Sequence, residues 1–154
     1  YVEYGGADFG IVGKDTLLEY DGDGFYEPVD LGIARCRLAV AGRHDALIKT
    51  ERLRVATKYA RITRHHFGSQ GIQTEIIKLY GSMELAPLVG LADCIVDLVD
   101  TGKTLKANGL RELAPICAIS ARLIVNKAAL KTKHAMSVRL LAQFERLVRV
   151  PGRG

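Results

Sequence analysis

Within Cys94 to Leu110, the run Asp97-Leu98-Val99-Asp100-Thr101-Gly102-Lys103-Thr104 collects the residue types that hold a phosphorylated sugar. Thr101 and Thr104 bring hydroxyl donors, Lys103 brings a positive charge, and Gly102 lets the backbone come close to a ligand. Asp97, at the end of the apolar strand Cys94-Ile95-Val96, can accept hydrogen bonds from sugar hydroxyls. Leu105-Lys106-Ala107-Asn108 then starts a helix, whose first-turn N–H groups lack intrahelical acceptors and face an anion favourably. Strand, polar loop and helix start would together seat a ribose 5-phosphate. The same order also suits an ordinary strand-to-helix turn capped by threonine, and the loop alone leaves both readings open.

The elements around this loop alternate. Ala7 to Gly13 reads as a short buried strand, and Lys14 to Glu19 as the turn and short helix after it. Tyr20 to Pro28, with its D-G-D-G run, reads as a solvated loop. It lacks the third acidic position and distal glutamate of a calcium loop. Cys36 to Ala41 and Arg52 to Ala56 read as strands, Thr57 to Gln70 as a helix, Thr74 to Leu79 as a strand, and Leu85 to Leu91 as a short apolar helix. Ile116 to Val125 is strand-rich, and Ser137 to Val148 repeats apolar residues at helical spacing. The tail from Arg149 to Gly154 reads as a frayed end.

This alternation predicts an α/β fold, mainly parallel sheets with helices on both faces. Ligands of such sheets lie beyond the carboxyl ends of the strands. The polar groups expected there are Gly13-Lys14-Asp15, Thr57-Lys58, Gly81-Ser82 with Glu84, and Asp97 to Thr104. The strand-helix block from Arg54 to Leu110 can bury its own faces. Two lobes are therefore expected: residues 1–50 with 115–154, and residues 51–114 carrying the phosphate loop.

Composition narrows the partners. A chain of 154 residues with 48% hydrophobic residues buries a true core. The net charge of +5 comes from basic residues spread along the chain, and aromatics make up only 6%. An anionic small molecule is thus favoured over nucleic acid. Cys36, Cys94 and Cys117 are odd in number, far apart and set in apolar runs, as reduced core thiols are. His65 and His66 are adjacent and would diverge on a helix, while His44 and His134 have no ligating neighbours at metal spacing. No protein-built metal site is expected. No apolar run reaches membrane-spanning length, so no membrane contact and a cytoplasmic location are expected. The start, Tyr1-Val2-Glu3-Tyr4-Gly5-Gly6, has no initiator methionine and reads like the middle of a domain, so an amino-terminal piece is expected before it.

Several stretches together carry a resemblance: A-D-F-G-I-V-G-K-D at Ala7 to Asp15, D-L-G-I-A-R-C-R-L-A-V-A at Asp30 to Ala41, and R-V-A-T-K-Y at Arg54 to Tyr59. To these add L-Y-G-S-M-E-L-A-P-L-V-G-L-A-D and D-L-V-D-T-G-K-T-L-K-A-N-G-L within Glu75 to Leu110, and R-L-I-V-N-K-A-A-L-K-T-K at Arg122 to Lys133. In this order they resemble the short form of ATP phosphoribosyltransferase, the first enzyme of histidine biosynthesis, over nearly the whole chain. The resemblance implies a two-lobed fold similar to type II periplasmic binding proteins, with the active site between lobes. It also implies a pentosyltransferase reaction, in which adenine N1 of ATP attacks ribose C1 of phosphoribosyl pyrophosphate and pyrophosphate leaves. Asp97 would then contact the ribose hydroxyls, and Asp100 to Thr104 would cradle the 5-phosphate. Magnesium would be bound largely through the pyrophosphate, and partners would include further copies of the chain and a regulatory subunit similar to histidyl-tRNA synthetase.

No residue is assigned as catalytic acid or base, because an adenine nitrogen attacks with its own lone pair and chelated pyrophosphate leaves unprotonated. Glu84 would either serve as a base or cap the following helix, the cap being favoured. Two departures from the family pattern stand out. A P-K-G-R-L-like segment is absent, and Asp100 occupies a position where serine is frequent. The rival readings are a two-lobed anion-binding or sensor module without chemistry and another phosphoribosyltransferase. The Tyr80 to Leu91 block separates this chain from the latter.

Overall fold

The computed structural model describes residues 1–46 and 52–149; of the frayed end expected over Arg149 to Gly154, Arg149 is helical and residues 150–154 lie outside the described residues. The chain divides into two compact units, Tyr1–Arg35 with Ile119–Gly154, and Cys36–Ala118.

The first unit carries a three-stranded sheet in the order β1-β8-β2, formed by β1 (Phe9–Gly13), β2 (Phe25–Asp30) and β8 (Ala121–Asn126). Both pairings are antiparallel, where a parallel arrangement was expected. The central strand β8 is buried from Leu123 to Asn126, whereas β1, expected to be buried, is an edge strand with Ile11 exposed. Of the loop expected over Tyr20 to Pro28, residues 20–24 are irregular as expected, whereas Phe25 to Pro28 belong to β2. Proline lacks an N–H for the ladder, and the register slips between Tyr26 and Val29, the irregularity that lets an edge strand hold a proline. Helices α1 (Lys14–Glu19), α4 (Lys127–Thr132) and α5 (His134–Arg149) complete this unit. The Asn126 side chain accepts from the Ala129 N–H at 2.9 Å, capping α4, which the sequence reading did not anticipate.

The second unit holds a five-stranded sheet, β5-β4-β6-β3-β7. Its strands are β3 (Cys36–Gly42), β4 (Leu53–Thr57), β5 (Thr74–Lys78), β6 (Cys94–Val99) and β7 (Arg111–Ile119). Strands β5, β4 and β6 run parallel, as expected, but β3 lies antiparallel against β6 from Arg37↔Val99 to Gly42↔Cys94. That ladder moves the expected boundary: Cys36–Gly42 and residues 115–118 belong to the second unit, not the first. Helix α2 (Ala60–Gly68) links β4 to β5, and a 3-10 turn at Met83–Leu85 precedes β6. The apolar helix expected over Leu85 to Leu91 does not form. Pro87 lacks an N–H, Gly90 takes φ +74°, and Leu85 and Val89 face solvent.

The interior is continuous through the sheet. Leu38, Val40, Val55, Cys94 and Val96 are fully buried. Ile95 and Val99 of β6 pack with Met83, Ala86, Leu105 and Leu110 in one apolar cluster. Because side chains alternate along a strand, Ile95, Asp97 and Val99 share the face of β6 that this cluster covers.

Candidate active site

The connections around β4 determine where a ligand can enter. From β4 the chain goes to β5 on one side, then returns across β4 to β6 on the other. In open α/β sheets a crevice opens at such a reversal, beyond the carboxyl ends of the two strands that flank it. Here those strands are β4 and β6, ending at Thr57 and Val99.

A cavity of about 370 Å³ lies at the end of β6, within the range of small-molecule sites. It is lined by Glu84, Ile95 and the whole run from Asp97 to Leu105. The local geometry differs from the sequence reading in one respect. Strand β6 continues through Asp97 to Val99, and helix α3 (Lys103–Ala107) begins at Lys103, so the true turn is only Asp100-Thr101-Gly102. Asp97 is therefore a strand residue, fixed by its register opposite Ala39, and its carboxylate accepts from the Leu98 N–H at 2.8 Å.

Gly102 takes φ +74° at the amino-terminal cap of α3, the left-handed region that a residue with a Cβ enters at a cost. A Cβ placed there would find only Val99 Cγ1, at 4.0 Å. Within the protein, the glycine is thus favoured by backbone conformation, not by crowding from neighbouring residues. Thr101 Oγ1 accepts from Lys103 N–H at a long 3.4 Å, a contact an incoming oxygen can displace. Leu105 is buried in the apolar cluster and anchors α3, worth about 1.5–3 kcal/mol by area removed from water. With five residues, α3 adds little dipole. The polar groups this turn offers the cavity are its N–H groups, the two threonine hydroxyls and Lys103.

Glu84 belongs to the 3-10 turn, next to the buried Met83 that holds this turn against β6. Its N-cap residue, Ser82, makes no side-chain cap hydrogen bond, and Glu84 lines the cavity. Gly81 and Ser82 are exposed and lie outside the cavity lining. Ser82 adopts φ +50°, a strained conformation for a residue with a Cβ.

The other expected site residues are engaged elsewhere. Thr57 is fully buried, its hydroxyl donating to the Val96 carbonyl at 2.7 Å and accepting from Tyr59 N–H at 2.9 Å. It ties β4 to β6 and offers nothing to a ligand. The Lys58 ammonium stands over the Tyr59 ring, 5.0 Å from its centroid. Gly13, Lys14 and Asp15 belong to the first unit, whereas the cavity is built wholly from second-unit residues. Lys14 Nζ pairs with Glu27 at 2.7 Å. A Cβ at Gly13 would come within 2.2 Å of Asp15 Oδ1, so this glycine makes room for the carboxylate in the first turn of α1.

Arg37 is the residue the sequence reading missed. From β3 its Nη1 donates to the Asp100 carbonyl at 3.0 Å, and its Nε donates to both carboxylate oxygens of Glu112 on β7, at 2.9 and 2.7 Å. The Glu112 carboxylate raises the Arg37 pKa above its already high ordinary value. Contacts this far apart in sequence leave no local signal.

Fold and site together define an α/β protein of two units, with a strand-turn-helix element at a cavity that Glu84, Asp97 and Asp100 line. The family model for HisG, ATP phosphoribosyltransferase, matches residues 1–147. The chain belongs to that family. It is 61% identical over 148 residues to the ATP phosphoribosyltransferase of Methylococcus capsulatus, covering 96% of this chain and 70% of that protein. It is 67% identical over 132 residues to that of Halorhodospira halophila, covering 86% of this chain and 62% of the relative. The chain thus spans between 62% and 70% of the length of these two relatives. Among solved structures, the ATP phosphoribosyl transferase (HisG:HisZ) complex from Thermotoga maritima matches 96% of this chain and 73% of its own, at 36% identity and a TM-score of 0.86. The BvgS periplasmic domain of B. pertussis matches at 15% identity and a TM-score of 0.52, a likeness of fold alone. No helix of the described residues is long and apolar enough to cross a membrane.

Proposed function

We propose that this chain carries the phosphoribosyl-binding half of an ATP phosphoribosyltransferase active site. In this reading, phosphoribosyl pyrophosphate sits in the β6 cavity, adenine N1 of ATP attacks ribose C1, and pyrophosphate departs, the first step of histidine biosynthesis. The observation that carries the proposal is that Asp97, the Asp100 to Thr104 turn and Glu84 line one cavity at the reversal of the sheet. Family membership supports the identity of the substrate.

Each residue then has a physical task. The N–H groups of the turn, with the Thr101 and Thr104 hydroxyls, receive the 5-phosphate, and Lys103 offsets its charge. Asp97, held rigidly in a strand, accepts from the ribose hydroxyls and fixes the sugar for attack at C1. No proton transfer is required of the protein. Glu84 stands on the same cavity and orients substrate through hydrogen bonds. The backbone N–H of Asp100 serves the turn, while Lys103 offsets the charge that an aspartate at this position adds.

The donor set suits a magnesium ion held mainly by substrate. Glu84, Asp97 and Asp100 are hard oxygen donors lining one cavity, yet no group of three ligating side chains among the described residues could cage an ion by itself. Magnesium, when bound, would offset the charge on the departing pyrophosphate. Further copies of the chain and a HisZ-like regulatory subunit are the proposed partners, and the cytoplasm the proposed location. The structural likeness to a HisG:HisZ complex supports the regulatory partner.

An assay for pyrophosphate release from ATP and phosphoribosyl pyrophosphate, run on this chain with its mass verified, tests the activity. Release that requires both substrates and magnesium is expected. Binding of phosphoribosyl pyrophosphate without release, with or without a HisZ-like subunit, would instead favour an anion-binding module.

A further inference from the structure

We propose that Arg37, braced by Glu112, is a positioning residue that sets the geometry of the phosphate-binding turn. This inference rests on the reading of that turn as the seat of the 5-phosphate. One guanidinium joins three strands: it sits on β3, is gripped through Nε by both carboxylate oxygens of Glu112 on β7, and holds the Asp100 carbonyl at the end of β6 through Nη1, at 3.0 Å. A trans peptide points its C=O and its N–H to opposite sides. Fixing the Asp100 carbonyl toward Arg37 therefore turns the Thr101 N–H away from it. Asp100 and Thr101 line the cavity, and Arg37 and Glu112 do not.

Charge and burial decide between this role and two plainer ones. Glu112 offsets the charge of Arg37, so the pair is poorly suited to attracting an anion by itself. The two side chains remain 41% and 26% exposed, and such pairs add little to global stability. What remains is direction. The planar guanidinium donates along fixed lines to a carboxylate and a carbonyl at once, which the single ammonium of a lysine cannot reproduce. Aspartate at position 100 adds a reason for the clamp, because its carboxylate must be kept from the phosphate while its peptide group is presented.

The test pairs a ligand-free measurement with a binding measurement. Backbone 15N order parameters of Thr101 and Gly102 are compared in the wild-type chain, Arg37→Gln, Arg37→Lys and Glu112→Gln, with the buried Val55 and Val125 as core references. Phosphoribosyl pyrophosphate is then titrated into each by calorimetry. Arg37→Gln is expected to lower the order parameters of the turn from rigid values near 0.85 towards about 0.6, with the core unchanged. Affinity for phosphoribosyl pyrophosphate should fall about tenfold. Arg37→Lys should lose nearly as much, and Glu112→Gln less. Unchanged order parameters in the turn, or full affinity in Arg37→Lys, would overturn the proposal, the latter by showing that charge alone suffices. If Arg37→Gln does not fold, Arg37→Lys and Glu112→Gln carry the same comparison. A wild-type chain that does not bind phosphoribosyl pyrophosphate would remove the phosphate seat, and the order parameters would still decide whether the clamp holds the turn.

Discussion

Asp97 and Gly102 show how much one position can decide. Asp97 lies inside β6 rather than in a loop, so its carboxylate is aimed by a ladder of backbone hydrogen bonds. Asp97→Asn keeps the shape and removes the charge that would strengthen the proposed hydrogen bonds to ribose hydroxyls, each worth roughly 1.5–3 kcal/mol. Calorimetry should show phosphoribosyl pyrophosphate weakened far more than ATP, and equal weakening of both would give Asp97 a general structural role. At Gly102 the structure adds a second cause. Besides the crowding of a bound phosphate expected from the sequence, a side chain here would meet a backbone at φ +74°, with no protein atom closer than Val99 Cγ1 at 4.0 Å. Gly102→Val should cost tenfold or more in affinity, about 1.4 kcal/mol or above, because a β-branched residue must leave that conformation. Gly102→Asn tolerates left-handed backbone and should retain more affinity. Equal losses in the two variants would point back to crowding.

At the scale of elements, residue type reported strands well and ends poorly. The parallel strands β4, β5 and β6 were legible as β-rich runs between turns. The end of β6 was not, because Asp97 is polar for the sake of the cavity and so reads as loop. Leu85 to Leu91 misled in the opposite way, since apolar residues with a proline and a left-handed glycine fill an irregular turn. The stretch from Gly90 to Asp93, leading into β6, is braced by a pair no periodicity reveals. Asp93, just before β6, accepts from the Arg54 backbone N–H at 2.8 Å and from Arg54 Nη2 at 2.8 Å. The Arg54 Nη1 in turn donates to the Gly90 carbonyl. The Arg54 side chain holds the Asp93 carboxyl below its ordinary pKa. A carboxyl lowered in the folded state contributes stability that is fully present above its unfolded value, near 4, and is lost as pH falls through the folded value. Asp93→Asn should therefore be less stable than wild type at neutral pH, by roughly 1–3 kcal/mol for charge-assisted hydrogen bonds. The gap in urea midpoints should narrow below pH 4. A gap independent of pH would mean that shape, not charge, makes the contribution.

Over the whole molecule, the two-unit division was legible because the block from Arg54 to Leu110 contains its own strand-helix alternation, while its edges were not. Strand β3 reads the same whichever sheet it joins, and only pairing with β6 assigns it to the second unit. The antiparallel sheet of the first unit was hidden likewise, since alternation in sequence does not reveal that β8 returns between β1 and β2. The family motifs survived these errors because they name the turn after β6 directly.

The central claim is that this turn binds the 5-phosphate of phosphoribosyl pyrophosphate, and amide resonances can follow it residue by residue. On titration of the 15N-labelled chain with phosphoribosyl pyrophosphate, the largest saturable shifts are predicted at Thr101, Gly102, Lys103 and Thr104, with ribose 5-phosphate shifting the same four amides. Saturable binding that leaves those amides unmoved while shifting others, such as those around Lys14, would contradict the account.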